Sequence, residues 1–210
     1  MGKIMSGILS PVSGKVSGVV GAKWKQTAYL RGWVKPANPN SDLQKAQRAL
    51  MRLCVEFGKN LVGNIFNVYT DRLTKDMSGF NFFVKRNIKH FTPTPAYSDV
   101  KITEGKLFAG NVVSAEYFTE VGTVTITMTE SLGNNGKVDD ILDAVLYDKS
   151  TGFFYFPSEP AARETTLIGI DADPGLTVSN LMVFVFYAAS YHDMITMISN
   201  SLWYQVTAPA

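Results

Sequence analysis

Two textures of hydrophobic patterning divide the chain. Between Asp42 and Leu61, apolar residues recur three and four apart (Leu43, Ala46, Leu50, Leu53, Phe57, Leu61), the stripe of an amphipathic helix. Ser41 and Gln44 form an S-x-x-Q capping box at its start, and Asp42 places an acid in the first turn. Gly58 and Gly63 predict a break near 58–64, followed by a second short helix through Ile65, Phe66, Tyr69 and Leu73. Residues 74–95 read as a connector rich in aromatics and cations, ended by Pro93 and Pro95. From Asp99 onward the period changes to two. Gly122–Glu130 alternates cleanly, with Val124, Ile126 and Met128 on one face and threonines on the other. Strands are predicted over 98–103, 106–119, 122–130, 138–148, 152–157, 163–170, 180–190 and 196–206, the second of them broken near Gly110.

Residues 1–40 show neither period over a long window. They carry glycines at close spacing (Gly7, Gly14, Gly18, Gly21, Gly32), then Trp24, Tyr29 and Trp33 among Lys23, Lys25, Arg31 and Lys35. Glycine-rich backbone can run close against another surface, and interleaved aromatics and cations suit docking. This predicts an extended basic arm with short strands at Val16–Val20 and Lys23–Tyr29 and a hairpin across Gly18–Ala22, closed by the rigid turn Pro36–Pro39. The expected organisation is therefore an arm (1–40), a helical region and connector (41–95), and a β domain (96–210). The fold class is α+β, mainly β, with a C-terminal antiparallel immunoglobulin-like β-sandwich.

Composition changes this picture in two ways. A hydrophobic content of 46% with 18% charged residues excludes wholesale disorder. The longest apolar run, Leu181–Ala189, is about half of a membrane span and fits a buried strand, so no membrane partner is expected. The net charge of +2 hides a division: residues 1–95 hold fifteen Lys and Arg against four acids, and residues 96–210 hold five against fourteen. Such asymmetry fits a basic arm of one copy lying on the acidic body of its neighbour. It also fits nucleic-acid binding by the basic half.

Candidate chemistry is sparse. Gly14-Lys15 is followed by Val16, so the phosphate-binding loop pattern fails. His90 and His192 lie in no nucleophile motif, and His192-Asp193 reads as a turn. Asp139, Asp140 and Asp143 lack a calcium-loop register and read as a solvated strand end. Cys54 is alone and reads as a small buried hydrophobe on a helix. Neither a catalytic residue, a metal ligand nor a cofactor is expected, and the chain reads as non-enzymatic.

The segments S-G-K-V-S-G-V-V-G-A-K-W-K-Q-T-A-Y-L-R-G and N-P-N-S-D-L-Q-K-A-Q-R-A resemble the N-terminal signature of an uncharacterised family from Bacteroidota and their tailed phages. Its pattern is a Gly/Val-rich arm, K-W-K-x-x-x-Y-x-R, then N-P-x-[ST]-x-x-Q-x-x-x-R. Lys23, Trp24, Lys25, Tyr29 and Arg31 match the first part, and Asn38, Pro39, Ser41, Gln44 and Arg48 the second. The C-terminal run from Leu181 is similar to the family's closing hairpin, with Ser199 and Ser201 at its end and His192-Asp193-Met194 in place of the usual Asp-Gly turn. The resemblance, which extends to structural proteins of crAss-like podoviruses, implies a virion structural protein assembled in the host cytoplasm. It would be a repeated ring subunit at the neck or tail, the head-tail connector region. The implied partners are further copies of the chain and other virion proteins such as portal or tail subunits, with nucleic acid secondary. Lys23, Trp24, Lys25, Tyr29, Arg31, Trp33, Gln44 and Arg48 are the candidate interface residues. Nucleic-acid binding by the basic half and a carbohydrate- or surface-binding sandwich are the alternatives.

Overall fold

The computed structural model describes residues 2–4, 14–24, 27–35, 37–74, 76–92, 94–133, 135–191 and 194–209. They divide into two compact units, Met1–Asp42 and Leu43–Ala210.

In the first unit the strands pair with one another, where the sequence suggests an extended arm. Strands β1 (Gly2–Ile4), β2 (Gly14–Val16), β3 (Val19–Trp24) and β4 (Thr27–Gly32) form an antiparallel sheet in the order β1-β4-β3-β2. The first hairpin turns at Ser17-Gly18, earlier than the expected Gly18–Ala22, because Val16 pairs with Val19 and Val19–Trp24 is strand. Ser17 takes a positive φ of 53° to close it.

In the second unit, helix α1 (Asp42–Lys59) begins where the capping signal places it. Its apolar stripe is only half used. Phe57 and Leu61 are buried, as is Cys54 beside them, whereas Leu43 is 85% exposed and Leu53 37%. Burial pushes the Cys54 thiol up to about 11, so it stays protonated and acts as a small hydrophobe. After the break the chain winds as a π-helix (Val62–Thr70), in which the Phe66 amide donates to the Leu61 carbonyl and the Asp71 amide to the Phe66 carbonyl. The wider turn buries the adjacent pairs Ile65, Phe66 and Tyr69, Thr70. The expected connector is itself helical: Ser78 caps helix α2 (Gly79–Asn87), its side chain accepting from the Asn81 amide, and a 3-10 turn (Ile88–His90) follows. The cations of this segment lie toward the helix's C-terminal end, where its dipole favours them.

The strands that follow are β5 (Val112–Phe118), β6 (Thr123–Met128), β7 (Ile141–Asp148), β8 (Phe154–Tyr155), β9 (Ala161–Ala162), β10 (Leu167–Asp171), β11 (Leu181–Tyr191), β12 (Met194–Ile198) and β13 (Leu202–Gln205). No strand forms at 98–103, where a 3-10 turn (Tyr97–Asp99) stands instead. Gly110, at φ 67°, breaks the expected 106–119 strand, which starts only at Val112. The predicted 196–206 strand is split between β12 and β13.

Three antiparallel strands (β10-β6-β5) face a larger sheet built on β12-β11-β7-β8, with β13 paired to β11 and β9 to β7. Alternation assigns the layers. Leu142, Ala144 and Leu146 of β7 and Leu181, Val183, Val185 and Tyr187 of β11 pack toward Ala115, Tyr117, Val124, Ile126, Ile168 and Ile170 of the smaller sheet. The opposite positions, Val145 and Tyr147 with Met182, Phe184, Phe186 and Ala188, meet the helices. The second unit is thus a β-sandwich-like pair of sheets with a helical layer on the outside of the larger one. Phe57 is the hub of that layer, with ring centroids of Phe83, Phe91, Tyr97, Tyr147, Phe154 and Phe184 at 4.9–6.2 Å. Phe57→Ala should therefore cost about 3–5 kcal/mol through the cavity it leaves, while Leu43→Ala on the same stripe should change stability by less than about 0.5 kcal/mol. Urea unfolding of both variants checks the contrast, and equal losses would contradict it.

Candidate functional site

The register of the N-terminal sheet sorts its side chains by face. Lys15 pairs with Val20 and Val20 with Arg31; Ala22 pairs with Tyr29. Residues opposite one another share a face, so Lys15, Tyr29 and Arg31 lie together. Trp33 follows two residues after Arg31, its amide donating to the Gly18 carbonyl at 2.8 Å. The Lys15 ammonium sits 3.6 Å from the Trp33 ring centroid, a cation–π contact across this face. The other face holds Val16, Val19, Gly21, Ala28 and Leu30, with Lys23 at its end. Val16 is 63% exposed and Trp33 46%, so neither face is closed over like a core.

The predicted interface residues thus divide. Tyr29, Arg31 and Trp33 converge, and Lys23 is on the opposite face. Trp24 ends β3 at the position paired with Thr27. Lys25 lies outside the described residues. Gln44 and Arg48 occupy the first turns of α1, in the second unit. Sequence reasoning missed Lys15. Its signal was the hairpin register, which places Lys15 against Val20 only once the turn is known to fall at Ser17-Gly18.

Two of the three carboxylates read as a solvated strand end are not solvated. Asp139 is exposed, but Asp140 and Asp143 are buried, each with a partner supplied from far along the chain. Asp140 accepts from the Lys137 amide at 2.8 Å and faces the buried Arg163 guanidinium, with Nε at 3.6 Å. That guanidinium stacks 3.8 Å from the Tyr187 ring centroid, and its Nη2 donates to the Phe108 carbonyl at 2.5 Å. It also fills the space that a Cβ at Gly136 would need. One arginine therefore ties together three loops, a structural role. Asp143 points from β7 to the helical side, where it lies beside the Tyr69 phenol of the π-helix, and its Oδ1 accepts from the Ala144 amide at 2.8 Å. Burial raises the Asp143 carboxyl above its ordinary 3.8, against the opposing pull of the Tyr69 and Ala144 hydrogen bonds. Burial, reinforced by the nearby Asp143 charge, likewise pushes the Tyr69 phenol up.

The serines near the C-terminus are also structural. Ser199 Oγ accepts from the Tyr187 amide at 2.8 Å, and Ser201 Oγ accepts from the Ile102 amide at 2.9 Å. They hold the segment before β5 against the end of the larger sheet. His90 Nδ1 is 3.7 Å from Asp99, and His192-Asp193 lies outside the described residues. Among the described residues no cluster of three or more His, Cys, Asp or Glu is arranged to hold a metal ion. No described helix is long and apolar enough to cross a membrane. A cavity of about 300 Å3 lies beside α1, with Phe57, Phe91, Tyr97, Tyr147 and Phe154 on one part of its wall and Glu56, Lys59 and Asn60 on another.

A family model matches residues 11–203, nearly the whole span from the N-terminal sheet to β13. The chain belongs to DUF6266, a family of unknown function. No curated protein and no solved structure matches it. The matched span takes in strands β2, β3 and β4 of the first unit and the second unit as far as the middle of β13.

The Asp143 arrangement has a pH signature. The unfolded carboxyl loses its proton near 3.8, whereas the folded one retains it to higher pH. Between those values the folded state binds more protons, so this group's contribution to stability falls as pH rises and stays lost above the folded value. Asp143→Asn should remove that slope and leave stability at pH 7 equal to or above that of the parent chain. Urea midpoints measured from acid to neutral pH test this, and an unchanged slope in the variant would refute it.

Proposed function

We propose that this chain is a non-enzymatic structural subunit of a tailed-phage virion, repeated in a ring at the neck or tail, whose N-terminal unit docks on neighbouring copies. The observation that carries the docking is the N-terminal sheet: a separate small unit whose residues 1–41 hold six Lys and Arg and no acid, and several of whose aliphatic and aromatic residues stay exposed. Val16, Val19, Trp33 and Val34 are 63%, 41%, 46% and 79% accessible. A small sheet gains independent stability by burying one apolar face, so exposed faces of this kind suit a partner. The unused half of the α1 stripe, with Leu43, Met51 and Leu53 exposed, adds a second apolar surface. The virion assignment is supported by the arm and helix-start motifs through Lys23, Trp24, Tyr29, Arg31, Gln44 and Arg48. The absence of a recognisable catalytic motif favours a structural role. Head-to-tail contacts between identical subunits close into rings when the rotation between neighbours permits.

The cationic-aromatic face favours one other reading, single-stranded nucleic acid stacked on Tyr29 and Trp33 and held by Lys15 and Arg31. The acidic second unit weighs against it as the main role. The decisive measurement is light scattering on the full chain and on a chain beginning at Pro39, which retains α1 and both cores of the second unit. The expected result is a discrete oligomer for the full chain and a folded monomer for the shorter one. Equal oligomers from both chains would refute docking through the N-terminal unit.

A further inference from the structure

The two sheets at opposite ends of the charge division carry opposite, unmixed charge. Residues 1–41 hold six Lys and Arg and no acid. Residues 107–136, which supply β5 and β6, hold three acids and no Lys or Arg, and no Lys or Arg follows Arg163, which is buried in the turn before β10, so β10 and the turn after it are equally free of cations. The outward positions of the three-stranded sheet follow from its register. Ser114, Glu116 and Phe118 of β5 pair with Thr127, Thr125 and Thr123 of β6, which pair in turn with Leu167, Gly169 and Asp171 of β10. The alternate residues, Ala115, Tyr117, Val124, Ile126, Ile168 and Ile170, face the core. The outer face is therefore flat, built on a row of threonines and one glycine. Glu116 and Asp171 flank the row, with Phe118 and Leu167 exposed at its corners (39% and 50%).

We infer that this outer face of β10-β6-β5 is the surface on which the N-terminal sheet of a second copy docks, with Lys15 and Arg31 facing Glu116 and Asp171. The inference rests on the assembly reading above and adds to it the receiving surface. The threonine and glycine row leaves the receiving face without a bulky centre, so the Tyr29 side of the cationic-aromatic face can lie against it, and opposite unmixed charges both steer the encounter and penalise like-with-like pairing. Each copy donates one basic sheet and offers one acidic face, so the contact is head-to-tail and propagates from copy to copy. Three strands of about five residues present on the order of 250 Å2. That is roughly a third of the ~800 Å2 each partner contributes to a standard stable interface, so a single contact is weak and is strengthened by repetition around a closed assembly.

The test is a charge swap in the full-length chain, followed by sedimentation velocity across a concentration series at low and high salt. Lys15→Glu/Arg31→Glu and Glu116→Lys/Asp171→Lys should each raise the concentration for half-association by about tenfold or more, and the four substitutions together should restore it to near the parent value. Circular dichroism melts monitor folding. If a reversal unfolds the chain, the neutral pairs Lys15→Gln/Arg31→Gln and Glu116→Gln/Asp171→Asn replace it and should weaken association without the rescue. Association that is lost without residues 1–38 yet indifferent to Glu116→Lys/Asp171→Lys would overturn this surface and leave the assembly reading intact. A combined variant no better than either pair would also overturn it. A parent chain that stays monomeric throughout, and binds a mixed-sequence single-stranded DNA oligonucleotide through Lys15 and Arg31, would overturn both.

Discussion

The pairing of β7 with β11, buried on both faces, is the constraint on which the second unit depends. Eight residue pairs run from Leu181–Asp148 to Ala188–Ile141, and almost every side chain along them is inaccessible. Each face meets a different layer, so an alternating pattern would expose one layer to polar groups. The sequence answers with a continuous apolar run in β11. Burying each large side chain contributes about 1.5–3 kcal/mol, which makes this pair the largest local source of hydrophobic stabilisation. The smaller sheet docks on one side, and α1, the π-helix and α2 dock on the other.

Several of the polar groups that interrupt that interior meet a partner far along the chain. Asp143 is the one acid on the helical face of β7, and it is met by Tyr69, which the wide turn of the π-helix brings inward. Asp140 and Arg163 sit at the edge of the other core, beneath Tyr187. A buried ion pair gains little net stability over an apolar replacement, but losing one member leaves a charge stranded, so such pairs enforce one arrangement of the loops that carry them. Ser199 and Ser201 do the same through neutral hydrogen bonds, fixing the segment around Ile102 against the last strands.

The N-terminal unit is built differently. Its four short strands satisfy one another's backbone groups, yet Val16, Val19 and Trp33 remain exposed, and the Lys15–Trp33 contact is on the surface. A sheet of this kind is held in register by its turns and ladders more than by a core. That leaves both faces available, one aliphatic and one cationic-aromatic, and it is the physical basis for reading the unit as something that docks. The opposite charge of the two units gives such docking a direction.

The sequence by itself determined what depends on neighbours a few residues away. The capping box placed the start of α1, strict alternation placed β6 with Val124, Ile126 and Met128 inward, the nine-residue apolar run marked β11, and Gly110 marked a break. Those signals are local, so they survive without knowledge of the fold. Tertiary structure alone decided that the α1 stripe is used only from Cys54 onward, because burial depends on where other elements end. It turned the expected connector into α2, since Phe83 and Val84 there are needed by the helical layer. It also decided that Asp140 meets Arg163, that Asp143 meets Tyr69, and that Lys15 joins Tyr29, Arg31 and Trp33 on one face. Each of those contacts is set by strand register and long-range packing, and a one-residue slip in either would have moved the charges to the opposite side.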